Sequence, residues 1–453
     1  MTIADPRVSE CTVFFLPGLG LDAAAADGIA AAAGDRLTVV GIDLLDRGRA
    51  ASLDDLADTA IERIRAHATG GPFLLCGHSL GGKVAARVIA RVLSGDELLF
   101  GLAGAVLLAP SPPSPEPMPD DKRAEMLGWA AGAHLSRADA ETFVTDNLGA
   151  PLSAELHSDA LDAVVAQPAS AWRDWLETGS REDASALVGR LDLPVVVLGG
   201  EDDDNLGADA QPDLLAGTYP RARFERMPGA GHLLPYEAPE RVAAELERLW
   251  DEIRAHAPVI APEWGRVIAS SRVDPQVRGT LAQRALADDA AATPRALTAA
   301  QLDTLRQLAA RLVPQGGAAI DLALRVDGML ADGVGDGWRP ADSPPDVDAY
   351  RAGLDAVAGF WPDGDDAAQD RVIAGLIQGD IDGAPSPAWF EDARNDLMRA
   401  WLAHPASLAR IGFDGFAVGG TGPEPAGWQL LAAGTREEWE PTELGRTTER
   451  TPR

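Results

Sequence analysis

A single serine lies at the centre of a glycine-rich turn, where its hydroxyl could act as a nucleophile. The segment Gly77-His78-Ser79-Leu80-Gly81-Gly82 follows an apolar run typical of a buried strand and opens a helical pattern. A serine in such a turn is held in a strained backbone conformation that exposes its hydroxyl above the sheet. The flanking glycines allow the strand and the helix to approach closely. The pattern predicts that Ser79 is a covalent nucleophile.

A serine hydroxyl needs a base to take its proton, and the chain has only seven histidines. His232 lies in a glycine-rich loop that begins at Pro228 and follows the last predicted strand. A loop at this position can carry an imidazole over the carboxyl edge of a sheet. His78 is adjacent to the nucleophile, so its side chain is expected to point away from it. We therefore predict that His232 is the general base.

The base must itself be oriented, and a carboxylate is the usual third member of such a group. Four acidic residues in a row follow the last strand but one: Glu201, Asp202, Asp203 and Asp204. Spacing alone does not choose among them.

The elements that would position these groups alternate along the first part of the chain. Apolar runs over residues 11–16, 37–42, 72–76 and 102–108 are predicted strands, and two more follow at 193–198 and 223–227. Strands that are apolar throughout and alternate with helices form a parallel sheet covered on both faces. The predicted class is therefore α/β. A helical insertion over about 111–190 is predicted to form a cap.

Residues 11–256 resemble the α/β-hydrolase family, whose members order the triad as Ser, Asp, His. The family commonly places its acid three residues after the glycine that ends the strand, here Gly200, which implies Asp203. The segment Phe15-Leu16-Pro17-Gly18-Leu19-Gly20 is similar to the family's oxyanion loop. This similarity implies that the N–H groups of Leu19 and Leu80 bind the oxyanion. There is no room for the family's first two strands, so we expect a trimmed, mostly parallel sheet of about six.

The sequence does not name a substrate beyond an ester, a thioester or a lactone. A serine triad needs no cofactor, and no metal-binding motif is present. The aromatic residues of the cap could line an apolar pocket, although helix packing would explain them equally well. The candidates for the pocket are Gly18, His78, Trp129, Phe143, Trp172 and Trp175.

Strand patterns end after residue 256. We predict a linker and a helix over 257–296 and an all-α domain over 297–453 with a frayed tail. Residues 297–440 resemble the small-subunit family of gluconate 2-dehydrogenase, through 297–305, 312–314 and stretches between 404 and 431. Such subunits carry no flavin and accompany a flavin-containing oxidoreductase. The resemblance implies a docking module for such a partner, whereas helices that brace the hydrolase or mediate self-association are the alternative.

Charge limits the other partners of the chain. The formal net charge is −31 and the sequence pI is about 4.5. Such a chain repels phosphate backbones and anionic lipid head groups, so neither a nucleic acid nor a membrane is expected to bind. The N-terminus shows no basic and apolar leader pattern, and a cytoplasmic location is expected.

Two other functions start from the same sequence. Gly18-Leu19-Gly20-Leu21-Asp22-Ala23, with Asp43 at the end of the next strand, resembles a dinucleotide-binding fingerprint. That interpretation would make the serine turn, the acidic loop and His232 coincidences. The second alternative is an accessory subunit of an oxidoreductase complex in which the hydrolase domain is secondary.

Overall fold

A computed structural model describes residues 10–45, 52–335, 344–362 and 364–413. These residues form two compact units. The first holds the described residues up to Ile253 together with Val259–Ala287, and the second holds Arg254–Pro258 and Asp288–Phe413. The predicted tail, and the part of the C-terminal resemblance beyond residue 413, lie outside the described residues.

The first unit is built on a six-stranded sheet in the order β2-β1-β3-β4-β5-β6, in which every pair is parallel. The predicted α/β class and the trimmed sheet are confirmed. β3 is buried along its whole length because helices cover both faces of the sheet. The strands are β1 (Cys11–Leu16), β2 (Leu37–Gly41), β3 (Phe73–His78), β4 (Leu102–Leu108), β5 (Val195–Gly200) and β6 (Ala222–Met227).

The helices of the first unit connect the strands and build the cap. A capping box between Ser52 and Asp55 starts the second of them. The alanine-rich stretch after β1 forms a 3-10 turn (Ala23–Ala26) followed by a short helix. The helices are α1 (Asp27–Ala32), α2 (Leu53–His67), α3 (Leu80–Ser94), α4 (Asp120–Trp129), α5 (Arg137–Asp146), α6 (Ala154–Ala166), α7 (Ala169–Asp174), α8 (Ser185–Val188), α9 (Gln211–Leu215), α10 (Leu234–Glu237), α11 (Pro239–His256), α12 (Pro262–Ile268) and α13 (Pro275–Ala285).

The predicted insertion forms the segment between β4 and β5. It holds the helices α4 to α8, with a π-helical turn at Trp175–Gly179. Five of its residues from α4 and α5 line a cavity that also contains Ser79. The segment is therefore a cap over the carboxyl edge of the sheet.

Two helices occupy the stretch where the sequence analysis predicted a linker and a helix, and both belong to the first unit. The buried guanidinium of Arg278 on α13 donates hydrogen bonds to the carbonyl oxygens of Gly95, at 2.5 Å, and of Val273, at 2.8 Å. Gly279 lies so close to Ser94 that a Cβ on Gly279 would fall 2.4 Å from the carbonyl oxygen of Ser94. These contacts fix α13 against the end of α3.

The second unit is helical in its described part, as predicted. Its core packs apolar faces of α14, α15, α16 and α18 together, with Leu305, Leu354 and Leu397 fully buried. The helices are α14 (Ala299–Leu312), α15 (Leu322–Ala331), α16 (Asp346–Ala358), α17 (Asp366–Gln378), α18 (Pro387–Leu402) and α19 (Pro405–Ile411).

Helix α14 begins with a capping box between Thr298 and Gln301. The three residues Arg295, Ala296 and Leu297 precede this helix. Their backbone N–H groups donate to the buried carboxylate of Asp327 at 2.7–3.0 Å. Across both units, the described residues include no helix that is long and apolar enough to span a bilayer.

Candidate active site

The turn between β3 and α3 holds Ser79 in an unusual backbone conformation. Its φ is 51° and its ψ is −118°, a region that residues with a side chain rarely occupy. A Cβ on Gly81 would lie 2.0 Å from the carbonyl oxygen of Leu16, and one on Gly77 would lie 2.7 Å from the carbonyl oxygen of Gly81. Glycine is required at both positions because backbone, which cannot move aside, fills the space. The turn therefore has the geometry of a nucleophile elbow.

The loop after β1 approaches this turn closely. A Cβ on Gly18 would lie 2.6 Å from Nδ1 of His78 and 3.0 Å from the Cβ of Ser79. The next residue, Leu19, lines the same cavity as Ser79. Leu80 is the first residue of α3, where backbone N–H groups have no helical acceptor. Neither the Leu19 nor the Leu80 N–H donates a hydrogen bond to a described residue, so both remain available to a ligand.

A buried glutamine of the cap fixes this loop. Oε1 of Gln167 accepts a hydrogen bond from the Gly20 N–H at 2.9 Å, and its Nε2 donates to the carbonyl oxygen of Leu21 at 3.4 Å. The sequence analysis did not identify Gln167. The cap and the loop after β1 are thus coupled through one side chain.

The imidazole of His232 is oriented by a carboxylate. Its Nδ1 lies 2.7 Å from Oδ2 of Asp203, while the other carboxylate oxygen accepts the N–H groups of Asn205 and Leu206 at 2.9 and 3.0 Å. Of the four consecutive acids, Asp203 is the one that contacts His232.

The pKa values follow from this pair. Burial alone would raise the pKa of Asp203, but the nearby imidazole and the three hydrogen bonds lower it to about 2. Burial likewise opposes the charged form of His232, but the charge of Asp203 and its hydrogen bond outweigh it and raise the pKa of His232 above 6.5. The pair therefore favours an ionised acid beside an imidazole that binds its proton more tightly than usual.

The loop that carries His232 is held by the cap. The carbonyl oxygen of Asn147 accepts the N–H groups of His232 and Leu233 at 2.8 and 3.2 Å. The carboxylate of Glu237 accepts the N–H groups of Gly149 and Gly231 at 2.7 and 3.0 Å. Both contacts join the cap segment that follows α5 to the His232 loop.

The side chain of His78, which was expected to point away from Ser79, packs against the ring of His232. The two imidazole rings lie 5.0 Å apart, and Nε2 of His78 donates to the carbonyl oxygen of His232 at 2.8 Å. Burial, with a smaller effect of His232, lowers the pKa of His78 to about 3, so its ring is neutral. The close packing of Gly18 directs the ring toward this loop.

A cavity of about 550 Å³ joins the groups, and Ser79, Asp203, His232 and Leu19 all line it. Of the proposed pocket residues, Phe143 and Trp175 line it as well. Trp172 packs behind Phe143 at a ring distance of 5.0 Å, and Trp129 packs against Lys122. Gly18, His78, Trp129 and Trp172 are absent from the lining. The cap contributes Glu116, Met118, Pro119, Asp121, Lys122, Met126, Phe143, Asp146, Asn147 and Trp175.

Glu116 is a residue of this cavity that the sequence analysis missed. Its hydrogen bond from the Ser111 hydroxyl measures 2.7 Å, and both side chains are buried. It lies in a proline-rich run with no periodic pattern of apolar residues, so its burial could not be predicted from the sequence. The one available signal was that it is the only charged residue between Pro110 and Pro119.

The backbone N–H and the carboxylate that the dinucleotide fingerprint would offer to a cofactor form hydrogen bonds within the protein instead. The Gly20 N–H donates to Gln167, and the carboxylate of Asp43 accepts the N–H of Ala23 at 2.9 Å. A 3-10 turn follows the loop in place of a long helix. The arrangement lacks the helix N-terminus that holds a pyrophosphate.

Comparisons with known proteins agree with this fold. A model of the alpha/beta hydrolase family matches residues 13–245 of the 453. No curated protein matches the sequence.

Similar solved structures cover about half of this chain. They include a thermophilic esterase from Thermogutta terrifontis (21% identity, 54% of this chain and 90% of that chain, TM-score 0.44). A bromoperoxidase from Bacillus anthracis is 14% identical over 54% of this chain and 92% of its own (TM-score 0.46). An enol-lactonase from Burkholderia xenovorans LB400 is 17% identical over 55% of this chain and 94% of its own (TM-score 0.44).

Proposed function

The chain belongs to the alpha/beta hydrolase family, and from that premise we propose that its first unit is a serine hydrolase. The reaction is cleavage of an ester, a thioester or a lactone through Ser79, His232 and Asp203. No cofactor takes part in this chemistry. The substrate is a small molecule that enters the cavity beneath the cap.

One observation carries this proposal. The strained Ser79 and the Asp203-bound imidazole of His232 line one cavity together with Leu19, whose N–H has no acceptor among the described residues. A glycine turn with only a connecting role would need neither the strain at Ser79 nor an oriented imidazole beside it.

The mechanism follows the chemistry of these groups. Oγ of Ser79 attacks the carbonyl carbon while Nε2 of His232 takes the hydroxyl proton, and Asp203 stabilises the imidazolium that forms. The N–H groups of Leu19 and Leu80 bind the oxyanion, and loss of one such donor typically costs ~10²–10³ in rate. His232 returns the proton to the leaving group, and water then releases the acyl group by the same steps. Among the described residues, the Ser79 hydroxyl forms no hydrogen bond with the His232 imidazole. In hydrolases such bonds commonly tighten only when the substrate binds.

A panel of activated esters, thioesters and lactones tests the proposal. Purified full-length chain should hydrolyse at least one class, and Ser79→Ala should abolish that activity. Ser94→Ala, an exposed serine at the end of α3, is the matched control and should retain it. Full activity in the Ser79 variant would refute the assignment of the nucleophile.

For the second unit we propose the docking role that its resemblance implies, with a flavin-dependent oxidoreductase as the partner. Exposed apolar side chains at Ile377, Met398, Leu402 and Ile411 on α17, α18 and α19 support a protein-binding role. Affinity purification of the full-length chain from its native extract should recover a protein with flavin absorbance. Recovery of no flavoprotein would count against this role and leave the hydrolase proposal untouched.

A further inference from the structure

A buried carboxyl group in the catalytic cavity has no part in the triad. Glu116 is 8% exposed and lines the cavity together with Ser79 and His232. Its Oε2 accepts the hydrogen bond from the Ser111 hydroxyl. Its Oε1 accepts no hydrogen bond from any residue that the structure describes. One oxygen of a fixed carboxyl is therefore free to bind a ligand.

The backbone keeps this carboxyl in place. The Glu116 N–H donates to the carbonyl oxygen of Ser180 at 2.7 Å, and the Ser111 N–H donates to the carbonyl oxygen of Ser79 at 3.0 Å. Ser111 thus contacts both the nucleophile turn and the carboxyl. The backbone of both residues is thus fixed, and the carboxyl itself is held by the hydroxyl of Ser111.

The buried cations nearby are occupied elsewhere. Nζ of Lys83 donates to the carbonyl oxygens of Ser114, at 3.1 Å, and Glu182, at 2.6 Å. Nη1 of Arg123 donates to the carbonyl oxygen of Leu176 and the hydroxyl of Ser180, while its Nε has no hydrogen-bond partner among the described residues. Neither cation forms an ion pair with Glu116 among the described residues. A buried carboxylate without an ion-pair partner is costly, and a cation supplied by a ligand removes that cost.

Burial raises the pKa of Glu116, while the hydrogen bond from Ser111 and the charges of His232 and Lys83 partly oppose the shift. A bound cation would favour the ionised form. The rest of the cavity is acidic as well, since Asp121, Asp146, Asp202 and Asp204 also line it. Lys122, the lysine in this lining, already contacts Asp146 at 3.3 Å and Glu125 at 3.4 Å. The site therefore attracts cations and disfavours anionic esters.

Building on the proposed hydrolase function, we propose that the substrate is an ester that carries a protonated amine, and that Oε1 of Glu116 binds this ammonium group. The apolar side chains of Met118, Met126 and Phe143 then contact the hydrocarbon part of the substrate. Glu116 is thus the residue that sets specificity, while Ser79 supplies the chemistry.

Two isosteric ester pairs test the inference. On the alcohol side, 2-(dimethylamino)ethyl butyrate is compared with 3-methylbutyl butyrate. On the acyl side, ethyl 4-(dimethylamino)butyrate is compared with ethyl 5-methylhexanoate. The ratio of kcat/KM within a pair is compared between the wild type and each variant, because this comparison measures recognition of the charge and cancels the difference in intrinsic reactivity between the two esters. The wild-type chain should favour the amine ester by at least about tenfold in one pair, as expected for a charge-assisted hydrogen bond.

Glu116→Gln should bring that ratio close to one, whatever happens to the absolute rates. Glu125→Gln removes the same charge from the neighbouring helix α4, outside the cavity lining, and it should keep the preference. Equal rates in both wild-type pairs would overturn the inference. So would a preference that survives in the Glu116 variant or disappears in the Glu125 variant. Cleavage of the neutral esters by the wild type, but not by Ser79→Ala, shows independently that the hydrolase proposal holds.

Discussion

Nδ1 of His232 lies 2.7 Å from Oδ2 of Asp203, and the second oxygen of the same carboxylate is held by two backbone N–H groups. This arrangement fixes both the position of the carboxylate and the tautomer of the imidazole. Nε2 is then the nitrogen that lacks a proton and can accept one from Ser79. The predictions below test what depends on this pair and on the elements around it.

Asp203→Asn should keep the fold but reverse the hydrogen bond, because the amide can donate to Nδ1. The wrong tautomer then presents a protonated Nε2 to the serine. Turnover of an activated ester should fall by ~10³–10⁴. Asp202→Asn and Asp204→Asn change neighbouring acids that form no bond with His232, and each should lose less than about tenfold. A larger loss from either neighbour than from Asp203 would reassign the acid.

The pH dependence of kcat/KM should show the raised pKa of His232. The imidazole must be neutral to accept a proton, so activity on a neutral ester falls as pH drops through its pKa. Because the pKa of His232 is raised above 6.5, the midpoint of this acid limb should lie above pH 6.5. His78, with a pKa of about 3, does not titrate in this range. Asp203→Asn should move the residual limb to lower pH, and a wild-type midpoint below 6.5 would contradict the coupling.

Gly81→Ala should destabilise the first unit, because its Cβ would meet the carbonyl oxygen of Leu16 at 2.0 Å. The atoms that the new Cβ would meet belong to the backbone of Leu16 and Pro17, which cannot move aside at low cost. We therefore expect a loss of about 3 kcal/mol in the free energy of unfolding. Gly128→Ala in α4 is the matched control, since nothing lies within 4 Å of its Cβ position. It should be neutral, or stabilising by up to ~1 kcal/mol. Chemical denaturation of both variants measures the difference, and equal stability would refute the close approach.

In the second unit, Asp327→Asn should weaken the start of α14. The carboxylate accepts three backbone N–H groups, whereas an amide has only one acceptor oxygen. The amide oxygen can still accept the N–H groups of Ala296 and Leu297, which share Oδ1, but the NH2 group cannot accept the Arg295 N–H, which donates to Oδ2. Hydrogen exchange at Arg295 should therefore accelerate by at least about tenfold, which corresponds to roughly 1–3 kcal/mol for the lost bond. Asp332→Asn affects an exposed ion pair with Arg295 and should leave the exchange nearly unchanged. Unchanged protection in the Asp327 variant would show that these bonds do not hold the helix start.

Sequence patterns identified much of the first unit because its signals are local. Five of the six strands are apolar runs between turn residues, and the serine turn is a contiguous motif. The choice of Asp203 needed the family resemblance, since four neighbouring acids share the same spacing. The contact that distinguishes it comes from β5 and the His232 loop, which are far apart in the sequence.

Features that depend on tertiary packing could not be predicted in this way. His78 turns toward His232 because Gly18, from another loop, packs against its ring. Glu116 is buried only because the proline-rich run folds back beside the nucleophile turn. Arginine side chains are mostly exposed in proteins, yet the guanidinium of Arg278 is buried among carbonyl groups that three separate segments supply.

The nucleophile itself can be tested most directly by labelling with a fluorophosphonate, followed by intact-mass measurement and peptide mapping. The wild-type chain should gain one adduct, located on Ser79, and lose ester hydrolysis in proportion to labelling. Ser79→Ala should gain none, while Ser94→Ala should label as the wild type does. An adduct on another residue, or full hydrolysis by a chain labelled at Ser79, would contradict the account.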